Sequence, residues 1–97
     1  MGRFQQDTQA YALHRLAIIG PAAGAAVPSL ITALGDQYPL NRYLAAEALG
    51  AIGPQAKDAV PILIHTLIDP DHVVRESAAQ ALQAIGTPEA IQAVRGM

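Results

Sequence analysis

Residues 52–69 read IGPQAKDAVPILIHTLID, and residues 19–36 read IGPAAGAAVPSLITALGD. A shortened form of the same phrase starts again at Ile85. Sliding the chain against itself by 33 places pairs residues 12–53 with 45–86, and 21 of these 42 pairs are identical. So much self-identity at one fixed offset marks an internal repeat. Ile19, Ile52 and Ile85 keep the period, as do Gly20, Gly53 and Gly86, and Leu16, Leu49 and Leu82.

The phrase straddles the junction between two helices. Upstream of it, Ala45, Ala48, Leu49 and Ile52 recur at i, i+3, i+4 and i+7, the spacing of one helix face, and Gly53-Pro54 ends that helix. Downstream, Val60, Leu63, Ile64 and Leu67 repeat the spacing in a second helix that stops at Asp69-Pro70. Pro61 falls in its first turn, where the backbone N–H groups have no intrahelical partner, so it marks a start and not a kink. Residue type favours Asp58 as the N-cap, and the restriction on the residue before a proline favours Val60. Asp69 is expected to cap the next helix, with Pro70 at its first position. Six helices are therefore predicted, about 8–19 and 24–35, 39–52 and 58–68, 70–85 and 87–95. They divide a single domain, residues 1–97, into units of about 7–36, 37–69 and 70–97. One hairpin cannot bury two apolar faces; neighbours stacked side by side can.

Composition agrees with close-packed helices. Hydrophobic residues make up 52% of the 97 residues but aromatic ones only 4%, so the apolar content is mostly Ala, Leu, Ile and Val. The net charge is −2 with no run of one sign, which steers toward neither nucleic acid nor an anionic membrane. The apolar runs look short of the ~20 residues that cross a bilayer. Cysteine is absent, which removes thiolate chemistry and disulfides and suits a reducing, cytoplasmic setting.

The unit D-x-x-x-V-R-x-x-A-A-x-A-L-x-A-I-G-x-x-A-x-x-A-V-P-x-L closely resembles the HEAT-like repeats of the phycobilisome-lyase type, a bacterial variant of the HEAT repeat. Val74, Arg75, Ala78, Ala79, Ala81, Leu82, Ile85 and Gly86 carry it in one copy, and Arg42, Ala45, Ala46, Ala48, Leu49, Ile52, Gly53, Val60, Pro61 and Leu63 in the other. Ankyrin and tetratricopeptide units share the period but not the residues: T-P-L-H-x-A is missing, and Tyr11 and Tyr43 are out of register. The resemblance implies an all-α, right-handed α-solenoid that binds another protein, with the first helix of each pair on the convex side and the second on the concave side. Some relatives take part in chromophore attachment, so an accessory piece of a bilin-lyase-type complex is the alternative.

The outer copies depart from the pattern. Where Arg42 and Arg75 stand, the first copy has Gln9, and where Asp36 and Asp69 stand it has Arg3. The last copy loses two residues after Gly86, so Ile91 takes the place of Val60, and AIQAVRGM supplies little of the polar face that a terminal repeat needs. These features suggest a fragment of a longer array, or a self-assembling segment that forms a homodimer through open solenoid ends.

Two residue sets stand out. Asp36, Arg42, Asp69 and Arg75 recur in register and are expected to form a structural ladder of ion pairs, each worth ~0.2–1 kcal/mol if exposed. On the second helices, Ser29, Thr32, Ile62, His65 and Asp69 lie opposite the apolar stripe and form the candidate protein-binding face. Leu40 matches Val73 and is expected in the core. His14, Glu47 and Gln80 form a polar outer row. Three scattered histidines give no metal-ligand spacing, and no nucleophile stands at motif distance from a base, so no metal, cofactor or catalytic residue is expected.

Overall fold

The computed structural model describes residues 2–96, with side chains from Gln9 onward. Six α-helices follow in order: α1 Gly2–Ile19, α2 Val27–Ala33, α3 Pro39–Ile52, α4 Val60–Thr66, α5 His72–Ile85 and α6 Pro88–Arg95. Among the described residues there is no strand. The all-helical class read from the repeat therefore stands.

Glycine sets the corners. Gly20, Gly53 and Gly86 have φ of +67°, +80° and +74°, a region that side-chain-bearing L residues resist, and each stops the helix before it. The Gly86 N–H donates to the Leu82 carbonyl at 3.0 Å, closing α5. Seven-residue 3₁₀ segments, Gly20–Ala26 and Gly53–Ala59, then carry the chain into α2 and α4. These helices start later than periodicity suggests, at Val27 and Val60, each preceded by an alanine already in helical conformation. Neither Asp58 nor Val60 caps α4, because a helix that grows out of a 3₁₀ turn needs no separate side-chain cap. Pro28 and Pro61 do sit in the first turn.

α3 packs against α1 on one side and α5 on the other, while α2 leans on α3, and α4 and α6 lean on α5. The result is a two-layer row with Cα extents of 41 × 30 × 17 Å, the short dimension matching two helices packed ~8–10 Å apart. Leu49 and Leu82 occupy equivalent interior slots and are fully buried, as are Leu30 and Leu63. Three corrections concern the edges of this core. Leu40 and Val73 are 44% and 48% exposed, because each lies five residues, about 140° of helical turn, from Ala45 or Ala78 at the centre of the buried stripe, and the two line a groove on the outer surface. Ile91 is only half-buried, whereas Ala90 is fully covered. The stretch Gln9–Ala33 is long and apolar enough, at a mean hydropathy of 1.7, to cross a membrane by length and composition. It is interrupted at Gly20, and Leu13, Val27 and Leu30 within it belong to the common core.

Candidate protein-binding surfaces

The predicted ladder has one full rung. Arg42 Nε donates to Asp69 Oδ2 at 2.8 Å and its Nη2 donates to Oδ1 at 3.1 Å, a two-pronged fit of planar guanidinium to carboxylate. Arg42 Nη1 also donates to the Asp36 carbonyl at 2.8 Å. The two side chains are 14% and 9% exposed, so the small energies of surface pairs do not apply. Burial works against ionisation of Asp69. The Arg42 hydrogen bonds, the Asp71 N–H and the charges of Arg42 and Arg75 outweigh it and hold the carboxyl below its usual value.

The other two ladder residues behave differently. Arg75 reaches only backbone, donating from Nη1 to the Asp69 carbonyl at 2.8 Å and the Pro70 carbonyl at 3.2 Å. The Asp36 carboxylate meets no arginine among the described residues. Its Oδ2 accepts from the Tyr38 N–H at 2.9 Å and from Asn41 Nδ2 at 3.0 Å, and the second Asn41 proton points to Gln9 Oε1 at 3.4 Å. Where α3 meets α1, a Gln9–Asn41–Asp36 amide bridge thus replaces the ion pair. Asn41 is fully buried in the slot that Val74 fills one repeat later, and its Oδ1 has no partner among the described residues. Sequence reading passed over Asn41; the signal was a polar residue in a core register opposite the one copy that lacks arginine.

Asp69 does not cap α5. Asp71 does, accepting from the Val73 and Val74 N–H groups at 2.9 and 3.1 Å, while Asp69 Oδ1 takes the Asp71 N–H at 2.9 Å. A carboxylate already gripped by Arg42 is not available to the helix.

Of the candidate binding face, Ser29, Thr32, Ile62 and His65 are all exposed, with Ile62 at 41%. Thr32 Oγ1 is partly engaged, donating to the Pro28 carbonyl at 3.3 Å. His65 and Asp69 line one groove of about 260 Å³ together with Leu34, Gly35 and Ile68, where the ends of α2 and α4 meet. Ser29, Thr32 and Ile62 lie outside that groove, and Asp69 enters it with both oxygens already occupied. Ile68, exposed beside His65, extends the apolar content of this side.

In the outer polar row, His14 Nδ1 lies 3.9 Å from Glu47 Oε1, and Tyr43 donates to Glu47 Oε2 at 3.0 Å, which raises the phenol's pKa. His72 and Glu76 pair at 3.0 Å along one face of α5. Among the described residues, no group of three His, Cys, Asp or Glu side chains could hold a metal ion.

A row of helical hairpins in register, sharing one core and joined by an arginine–aspartate rung, defines an α-helical repeat protein. The family model for HEAT repeats matches residues 27–97, most of the chain, and the protein belongs to that family. α1, where Gln9 stands in place of arginine, lies outside the matched stretch. No curated protein and no solved structure matches the chain.

Proposed function

We propose that the chain is a non-enzymatic protein-binding module whose partner contacts the outward side of α2 and α4. HEAT repeats are commonly protein-interaction scaffolds, and this chain has the family's repeat along most of its length. The observation that carries the reading is the pair Ile62 and Ile68, exposed on either side of His65 on a face that the repeat's own packing leaves open. Their counterparts one repeat earlier are Ser29 and Gly35, so the apolar content is concentrated in one hairpin and not demanded by the repeat. The 33-residue period and the A-L-x-A-I-G phrase support the narrower assignment to the phycobilisome-lyase type of HEAT-like repeat, built as a right-handed solenoid with this face on its concave side. Lack of cysteine fits an intracellular setting.

The test is a double substitution, Ile62→Asp with Ile68→Asp. The expected result is a melting temperature within about 2 °C of the parent, since exposed positions change stability little, together with loss of the proteins captured by the parent from native cell extract. An unchanged capture profile would remove this face from consideration.

A further inference from the structure

α5 is covered by α3, α4 and α6 and is open on the side away from α3. Val74, Ala78, Ala81 and Leu82 are buried toward α3, whereas Arg75, Glu76, Ala79 and Gln83, with Leu67 of α4, line an open groove of about 490 Å³. Their counterparts one repeat earlier are Arg42, Tyr43, Ala46, Gly50 and Leu34, the side of α3 on which α5 rests. Ala46 is fully buried there, Leu34 nearly so, and Arg42 holds Asp69. The groove is therefore the register equivalent of a helix-docking surface already used once in this molecule.

We infer that the open side of α5 docks a helix of another protein with an aspartate or glutamate in the loop just ahead of it, as Asp69 stands ahead of α5. The charge of the site points to that chemistry. Arg75 uses Nη1 on two backbone carbonyls, and its Nε and Nη2 have no hydrogen-bond partner among the described residues. The same two atoms of Arg42 are the ones that grip the Asp69 carboxylate. A partner carboxylate at Arg75 would complete a second rung, and Leu67 and Ala79 would give its helix an apolar seat.

A second copy stacked end to end does not meet these requirements. The α1 end carries Arg15 where α3 and α5 have the buried Ala48 and Ala81, and position 3 is arginine where positions 36 and 69 are aspartate. Arg15 is already over the Tyr11 ring, 5.8 Å from its centroid. Such a copy would bring the Arg15 side chain against Gln83, where α3 and α5 meet through glycine and alanine. The spacing also differs: a Cβ on Gly50 would lie 3.1 Å from Ala81 Cα, tight enough to push α5 outward, while Gln83 occupies the equivalent position on the open side. The partner helix sits farther out or offers its own small residue opposite Gln83.

The test uses the full chain, isotope-labelled, and a peptide spanning residues 67–85, capped at both ends and stapled on its solvent side. This peptide is the segment that occupies the equivalent face of α3. The expected result is amide shift changes at Leu67, Ala79 and Gln83, with an affinity weakened tenfold or more by Arg75→Gln in the protein or Asp69→Asn in the peptide. Gln83→Gly in the protein is expected to tighten binding several-fold. Should Arg75→Gln lower stability, the charge exchange Arg75→Glu with peptide Asp69→Lys serves instead, and restored binding supports the inference. Shift changes confined to α3, or an affinity indifferent to Arg75 and Gln83, would overturn it. So would a dimer of the chain alone in light scattering that Arg75→Gln dissolves, which assigns the face to a second copy.

Discussion

The α3–α5 junction and the α1–α3 junction occupy equivalent places in the repeat but are held together differently. At the first, a charged pair with little exposure joins Arg42 to Asp69. At the second, Asn41 bridges Gln9 and Asp36 through neutral amide protons, with one buried oxygen unsatisfied among the described residues. Apolar residues of α1, α3 and α5 belong to one core at both junctions. The polar rung determines how much each junction resists separation. A buried, doubly hydrogen-bonded pair is costly to break from one side, because the survivor is stranded; an amide bridge with an orphan acceptor already carries part of that cost.

The largest effect is expected from breaking the charged rung. Arg42→Ala leaves the Asp69 carboxylate 9% exposed without its main partner, a loss on the order of 3 kcal/mol by analogy with buried pairs. Gln9→Ala at the other junction should cost far less, because Gln9 is exposed and its bond is long. Urea denaturation of the two variants side by side measures the contrast. Acid offers an independent check. The Asp69 carboxyl is held below its usual value in the folded state, so the rung contributes fully above the unfolded pKa of ~3.9 and fades as pH falls through the lower folded value. The stability gap between the parent and Asp69→Asn should narrow as pH drops below about 4; a gap constant from neutral pH downward would contradict the assignment.

Next comes spacing. Gly50→Gln places on α3 the residue that α5 carries at position 83, and its Cβ meets Ala81 backbone at 3.1 Å. Overpacking of this kind typically costs about 1–3 kcal/mol. The expected readout is a lower melting temperature with unchanged helical content. Gly35, exposed in a turn with only the Thr32 carbonyl near its Cβ position, serves as the control.

A smaller effect separates the starts of the two helices. α5 has a working N-cap in Asp71, whereas α3 begins after Tyr38, which makes no capping bond. Asp71→Ala should lose about 1 kcal/mol, and Tyr38→Asp should gain a smaller amount, because Pro39 has no N–H and the Asn41 N–H already donates to the Tyr38 carbonyl, which leaves the Leu40 N–H for the new carboxylate. Thermal melts that move in opposite directions would show that the caps are independent of the rungs they adjoin.

Much of this was legible because the repeat is nearly literal. A period of 33 residues places Leu49 and Leu82 in matching interior slots, and identical side chains in identical register bury alike. Glycine corners were legible because no other residue tolerates φ near +70° cheaply. The Arg42–Asp69 rung followed from recurrence, but the fate of each member did not. Asp69-Pro70-Asp71 offers two carboxylates for one helix start, and only the three-dimensional position of Arg42 decides that Asp69 goes to the guanidinium and Asp71 to the helix. Leu40 and Val73 were legible as outward positions from helical phase, since each lies well off the stripe of Ala45, Leu49 and Ile52 or its equivalent in α5; their apolar type, not their phase, suggested the core. Of the candidate face, the exposure of Ile62 and His65 was readable from helical phase, whereas the groove at His65 depends on how α2 and α4 end beside each other.

The finest discrimination concerns whether the two junctions are interconvertible. Gln9→Arg with Asn41→Val gives the α1–α3 junction the side chains that the repeat pattern calls for, since Arg42 and Val74 stand at the equivalent places. Each change alone is expected to be unfavourable or neutral. Asn41→Val removes the orphan Oδ1 but leaves Asp36 without its amide donor, and Gln9→Arg brings a guanidinium against an amide that blocks its path to Asp36. Together they remove the obstruction and supply the charge. A double-mutant cycle should therefore show favourable coupling of about 0.5–1 kcal/mol, within the range for contacting residues. Coupling near zero would mean that the α1–α3 spacing does not admit the rung, and that the amide bridge was selected by the geometry of the end repeat and not merely substituted into it.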